Sequence, residues 1–253
     1  GDQLIINNSP DYESKSSYSI RLKVTDSGGL SYEEERTLIV NDLNEAPSNI
    51  NLSSTSFNEN VSEKTLVATL SATDADANDT YTYSLVSGDS DTDNDLFTID
   101  GDQLKISTSP DYETKNTYQI RIKATDSGDL SFEEGITLTV NNVNEAPTDV
   151  GISRSSFDEN ISSGISVATL SSTDIDSNDA KTYSLVQGDG DTDNDSFLID
   201  GDQLIISDSP NFESHSSYNV RLKVTDSGGL SYENPFTLEV NDVSEAATDI
   251  NLS

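Results

Sequence analysis

The sequence contains no cysteine, no methionine and no tryptophan, and it has one histidine in 253 residues. Without cysteine there is neither a disulfide framework nor a thiolate metal site. A second histidine, a nucleophile elbow and a phosphate loop are all missing, so no catalytic constellation is recognisable. There is no signal peptide, no transmembrane run and no lipidation motif in this stretch, which leaves no direct membrane insertion here. Basic residues are scarce: 13 Lys and Arg stand against 47 Asp and Glu, a formal charge of −34. Nucleic acid and anionic membranes repel such a surface and are excluded as partners. Hydrophobic residues make up only 32 %, a balance that in other chains means disorder. The strict apolar alternation described below argues against disorder here. Self-repulsion on this scale opposes a compact state unless cations neutralise it.

What the chain does have is repetition. Gly-Asp-Gln-Leu opens it at Gly1 and returns at Gly101 and Gly201, a period of about 100 residues. Repetition at that length indicates a tandem array of one module. Boundaries fall at Asn44-Glu45-Ala46-Pro47, Asn144-Glu145-Ala146-Pro147 and Ser244-Glu245-Ala246-Ala247. Proline holds the preceding residue extended and cannot continue a ladder, so the boundary is a short, stiff linker. Complete modules are expected at 48–147 and 148–247. Residues 1–47 are expected to be the C-terminal half of a truncated module, and 248–253 the first strand of another. The whole is expected to be a piece of a longer array.

Each module reads as all-β. Tyr118, Ile120, Ile122 and Ala124 alternate with Gln119, Arg121 and Lys123, and Ile136, Leu138 and Val140 alternate with Thr137 and Thr139. Period 2 with one apolar face marks a half-buried strand. Thr125-Asp126-Ser127-Gly128-Asp129 reads as the hairpin turn between them. The same alternation recurs at Tyr18, Ile20, Leu22 and Val24, and at Tyr218, Val220, Leu222 and Val224. Further strands are expected at 67–73, 81–86, 97–99 and 104–107. About seven short strands in ~100 residues predict an antiparallel sandwich of immunoglobulin-like type. A complete module can bury a core without staples; the leading half-module cannot complete a sandwich alone.

The acids recur in order. Phe-x-Glu-Asn supplies Glu59 and Glu159. Asp-x-Asp supplies Asp74 and Asp76, then Asp174 and Asp176. An Asp-aromatic-Glu motif supplies Asp11 and Glu13, then Asp111 and Glu113. Thr-Asp-Ser-Gly supplies Asp26, Asp126 and Asp226. In an extended strand exit, side chains i and i+2 share a face, so Asp-x-Asp points two carboxylates one way. Hard oxygen ligands without His or Cys suit calcium, which takes about 6–8 oxygens.

This ordered motif set resembles the cadherin repeat over essentially the whole chain. The resemblance implies tandem cadherin-like, seven-stranded antiparallel β-sandwiches in a linear array, with calcium bound at the junctions. Carried over residue by residue, one junction would use Asp11, Glu13, Asp42, Asn44 and Glu45 with Asp74, Asp76 and Asp126. The next would use Glu59, Asp111, Glu113, Asn144 and Glu145 with Asp174, Asp176 and Asp226, and Asn178 as a further candidate. The linker departs from the vertebrate form: it is one residue shorter and has Glu in place of Asp. Asn142 stands where Asp42 stands in the preceding copy. The third copy has Asn211 in place of Asp and Ser244 in place of Asn, and that end is expected to be poorly occupied. The short linker and the near-identical copies look like bacterial cadherin-like repeats of large surface adhesins.

The resemblance therefore implies an extracellular or cell-surface location, and a non-enzymatic, calcium-rigidified spacer or adhesion module. Two other readings stand beside it: a module that binds surface polysaccharide, and calcium-dependent homophilic adhesion to other adhesin molecules. Exposed tryptophan platforms for sugar are absent. A second acidic run, Asp89, Asp91, Asp93 and Asp95, recurs at 189–195. It opens like an EF-hand loop but lacks the central Gly and closing Glu, leaving either a solvated loop or an additional calcium site. His215 takes the position of Lys15 and Lys115 and reads as an exposed polar residue.

Overall fold

Alternation along the chain becomes alternation across the sheets. The computed structural model describes residues 3–177 and 179–246, and the chain divides into two units, residues 1–142 and 143–253. The first unit begins with β1 (Ser17–Thr25) and β2 (Ser31–Ile39), which among the described residues pair only with each other. Then follow β3 (Asn49–Leu52), β4 (Ser56–Asn58), β5 (Leu66–Thr73), β6 (Thr82–Leu85), β7 (Phe97–Asp100), β8 (Gln103–Ile106), β9 (Thr117–Thr125) and β10 (Ser131–Asn141). They form two four-stranded sheets, in the orders β3-β5-β8-β7 and β4-β10-β9-β6.

Between these sheets lies one core. β9 contributes Tyr118, Ile120, Ile122 and Ala124, and β10 contributes Leu138 and Val140, all buried. Facing them are Val67 and Leu70 of β5, Phe97 of β7, and Leu104 and Ile106 of β8. Each large side chain fully buried in this way contributes roughly 1.5–3 kcal/mol. The rings of Phe57, Phe97 and Tyr118 meet at centroid distances of 5.5–6.3 Å, in the edge and offset arrangements that aromatic quadrupoles favour.

The sandwich has one detail that a count of seven strands does not contain. The first strand breaks after Leu52, and its second part, β4, crosses to the other sheet and runs parallel to β10. Serines make the break possible. The Ser53 hydroxyl accepts the Thr69 N–H at 2.8 Å, and the Ser54 hydroxyl donates to the Ser56 carbonyl at 2.6 Å. Side chains thus take over backbone bonding where the ladder stops. The crossing carries Phe57 into the core.

The second unit repeats the plan with β11 (Asp149–Ile152), β12 (Ser156–Asp158), β13 (Ser166–Thr173), β14 (Thr182–Leu185), β15 (Phe197–Asp200), β16 (Gln203–Ile206), β17 (Ser217–Thr225) and β18 (Ser231–Asn241). Its sheets are β11-β13-β16-β15 and β12-β18-β17-β14. The expected first strand at 248–253 lies outside the described residues.

Candidate functional site

Acidic side chains gather where strands end. Asp74 follows β5 and Asp126 follows β9. One oxygen of Asp126 accepts the Gly128 N–H at 2.9 Å and the Leu130 N–H at 2.8 Å, closing the turn into β10. The other accepts the Asn44 side-chain amide at 3.0 Å. Gly128 leaves room for the linker: a Cβ there would lie 2.4 Å from the Asn44 side-chain oxygen and push it aside. The Thr-Asp-Ser-Gly motif therefore closes a hairpin and receives the linker asparagine at once.

Asp126 is buried beside Asp74 and Asp79, and one carboxylate oxygen of each lies within 4.8 Å of the other two. Asp74 Oδ2 and Asp79 Oδ2 are buried without a hydrogen-bond partner. Burial and then the charges of Asp74, Asp79 and Asp126 push the neighbouring Tyr81 hydroxyl above its ordinary pKa. Three converging anions, two of them with an orphaned buried oxygen, are costly unless something positive fills the gap. The donor set is all hard oxygen at a spacing one divalent ion can bridge, so these residues fit calcium.

A second group in the same unit joins Glu13, Asp42, Glu45 and Asp76, again with one oxygen each within 4.8 Å. The Glu45 N–H donates to Asp76 Oδ2 at 2.8 Å. Burial, followed by the charges of Glu13, Asp76 and Asp42, raises the Glu45 carboxyl. The Glu13 carboxyl is held down by its own backbone N–H, but burial and the Asp42 charge leave it raised on balance. Asp11 is not drawn into the group. Its carboxylate accepts the Ser14 N–H at 3.0 Å and the Ser14 hydroxyl at 2.8 Å, and these bonds lower its pKa.

At the other end of the first sandwich, buried Glu59 accepts the Tyr112 N–H at 2.7 Å. One oxygen of Glu59 lies within 4.8 Å of one from Glu113, and the Asn142 amide donates to Glu113 at 2.9 Å. Asp111 repeats the turn role of Asp11, accepting from Thr114.

The second unit reproduces this arrangement. Asn144 donates to Asp226 at 2.9 Å, and the Glu145 N–H to Asp176 at 2.8 Å. Asp174, Asp179 and Asp226 converge within 4.8 Å, and Asp174 Oδ2 is again buried without a partner. Burial opposes ionisation of Asp226, yet the Asn144 amide and the turn N–H groups hold its pKa below the usual value. Asn178 lies outside the described residues.

Several participants were missed at the level of sequence. Asp79 and Asp179 complete the three-carboxylate groups, and Glu213 and Asp242 join Glu159, already singled out by its motif, in a further group. Their signal was the recurrence of each acid one period away: Asp79 with Asp179, Glu59 with Glu159, Glu13 with Glu213, Asp42 with Asp242. Glu159 accepts the Val243 N–H at 2.8 Å and the Phe212 N–H at 2.9 Å, which lower its pKa. Asn211 still caps its turn, accepting the Ser214 N–H at 2.8 Å.

Comparison with known proteins bears on the fold. The Cadherin domain family model fits residues 53–141, the span that carries the first sandwich and its acidic ends. That span matches the family, and the fold of the chain is the tandem β-sandwich fold of cadherin domains. Over 251 residues it is 28 % identical to cadherin-4 of Caenorhabditis elegans, covering 93 % of this chain and 6 % of that protein. It is 27 % identical to human protocadherin Fat 1, covering 95 % of this chain and 5 % of that protein. Among solved structures, the protocadherin gamma B7 extracellular cadherin domains 1–4 superpose with a TM-score of 0.64 at 24 % identity, over 91 % of this chain and 59 % of that one. The human desmocollin-1 ectodomain gives 0.61 at 20 % identity, over 94 % and 50 %. The chain thus spans only a small part of the length of the curated relatives it matches.

Two of the alternating aspartates in the first of these runs, at 89–95, are taken up by bonds within the protein. Asp91 accepts the Gly88 N–H at 2.9 Å. Asp93 accepts the Gln119 N–H at 2.8 Å and pairs with the Lys115 ammonium. None of the run joins a group of three converging metal-ligand atoms among the described residues. His215 stacks on Tyr218 at 4.4 Å and lies 3.4 Å from Asp193, in the place that Lys115 takes beside Asp93.

Proposed function

We propose that this stretch is a calcium-binding, calcium-rigidified extracellular spacer and adhesion module, with complete repeats at 48–147 and 148–247 and the second half of a repeat at 1–47. The observation that carries it is the pair of buried, unpartnered oxygens on Asp74 and Asp79 beside Asp126, reproduced at Asp174 in the next copy. Bound calcium would supply the positive charge these groups lack. Asp74, Asp79 and Asp126 would hold one ion, and Glu13, Asp42, Glu45 and Asp76 would hold charge beside it. Asn44 and the Glu45 N–H already tie the linker to Asp126 and Asp76, so an ion there stiffens a connection that is in place. The role is structural and needs no catalytic group.

The short Asn-Glu-Ala-Pro linker and near-identical copies support a bacterial surface adhesin as the parent, although the relatives named above are animal proteins. A parent gene found in an animal genome would sink that assignment.

Calorimetric titration with calcium, followed by thermal melts in calcium and in excess chelator, tests the main reading. An ion at a hundredfold its Kd stabilises the fold by about 2.7 kcal/mol, which raises Tm by several degrees in a domain of this size. Melting that is the same in calcium and in chelator defeats the proposal.

A further inference from the structure

The two complete repeats share one plan but differ at one edge of the sandwich. In the first, Thr98 of the edge strand β7 lies opposite Lys105 of β8, and the Lys105 ammonium donates to Asp100 at 2.8 Å. A lysine beside an edge strand discourages other chains from adding to it. In the second, Leu198 of the edge strand β15 lies opposite Ile205 of β16. Leu198 is 62 % exposed, and Asp200 has no ion pair among the described residues. The edge is open to hydrogen bonding too. Ser207 donates its N–H to the Ser196 carbonyl, so by alternation Leu198 and Asp200 also turn their backbone groups to β16. The N–H and C=O of Ile199 therefore point outward, and among the described residues no strand pairs with β15 on that side. Beside this edge, between the ends of β14 and β15, is a groove of about 460 Å³. It is lined by Leu185, Val186, Phe197 and Leu198 and by the acids Asp191 and Asp195.

We propose that the β15 edge of the second repeat is a docking site for an extended segment of a partner protein, apolar at its centre and flanked by lysine or arginine. The segment adds to the sheet as a further strand, a mode in which backbone bonds give affinity and side-chain pockets give specificity. Its backbone bonds to Ile199. One apolar side chain covers Leu198 and Ile205, and a neighbouring one enters the groove. The flanking cations meet Asp191, Asp195 and Asp200. Charge selects this occupant over a second copy of the chain. Each copy carries −34, and antiparallel pairing of β15 with itself would bring the Asp195 end of one copy to the Asp200 end of the other, where like charges oppose pairing. None of these residues belongs to a group of converging metal-ligand atoms, so the site stands apart from the calcium reading.

The test titrates the full 253-residue chain, in calcium, with the synthetic peptide Lys-Thr-Val-Ile-Val-Thr-Lys. The expected result is saturable one-to-one binding, with hydrogen-exchange protection gained at 197–200 and not at 97–100. Leu198→Thr combined with Ile205→Lys gives the second repeat the residues with which the first already folds, and should weaken binding at least about tenfold by removing apolar contact and guarding the edge. Two control peptides separate strand addition from the plain attraction of a cation to an anionic chain. One has glutamate in place of both lysines, the other has alternate backbone amides N-methylated, and neither should bind. Four results overturn the proposal: no binding, binding indifferent to the double substitution, equal binding by either control peptide, or self-association of the chain through 197–200.

Discussion

Asp126 accepts two turn N–H groups with one oxygen and the Asn44 amide with the other, whereas Asp74 Oδ2 has no partner. The two residues should therefore respond differently to substitution. Asp126→Ala leaves buried donors unmet and should cost roughly 1–3 kcal/mol even in chelator. Asp74→Asn removes a repelling charge, so melting in chelator should hold or rise while calcium affinity falls. A chelator melt in which Asp74→Asn is clearly destabilised would contradict the role given to that oxygen. Asp93 supplies a pH test. Burial alone would raise its pKa, but the Lys115 ammonium and the Gln119 N–H outweigh burial and hold it below the ordinary value. A carboxyl depressed in the fold stabilises it above the unfolded pKa of about 3.9 and loses that contribution as pH falls through the folded value. Lys115→Ala should move the acid-unfolding midpoint of this repeat to higher pH. An unmoved midpoint would remove Asp93 from the account.

At the scale of elements, one leucine occurs three times in two settings. Leu138 in β10 and Leu238 in β18 are fully buried, and Leu38 in β2 is 44 % exposed. Leu138→Ala should cost about 2–5 kcal/mol through lost burial and a residual cavity, and Leu38→Ala should stay within about 0.5 kcal/mol. Chemical denaturation of the two variants separates them, and equal losses would mean that the hairpin face is covered in solution. The long strands were legible because β9 and β10 alternate cleanly. The break between β3 and β4 was not, since it depends on serine side chains meeting a ladder that ends there and on β10 offering a parallel edge.

For the molecule as a whole, the charge of −34 is the dominant electrostatic fact. Without cations the carboxylate groups repel one another across every place where they converge. Small-angle scattering in calcium and then in excess chelator should give two distinct profiles, with the chelated chain adopting a broader distribution of sizes. Superimposable profiles would leave calcium without a mechanical role. The acidic groups were legible in part. Asp74, Asp76, Asp126 and their copies stood out through motif and order, and Asp79 and Asp179 did not, because a lone aspartate in a polar loop has no local signature.

The sequence by itself determined the period of about 100 residues, the strands with one apolar face, the turns that close them and the type of ligand atom on offer. Those features are local: backbone geometry and side-chain chemistry act over a few neighbouring residues. Tertiary structure decided which acids converge, since Asp74 and Asp79 of the β5–β6 connection meet Asp126 after β9. It also decided that β4 leaves the sheet of β3 and runs parallel to β10. A strand exists only where partners distant in the chain arrive to take its hydrogen bonds and cover its apolar face.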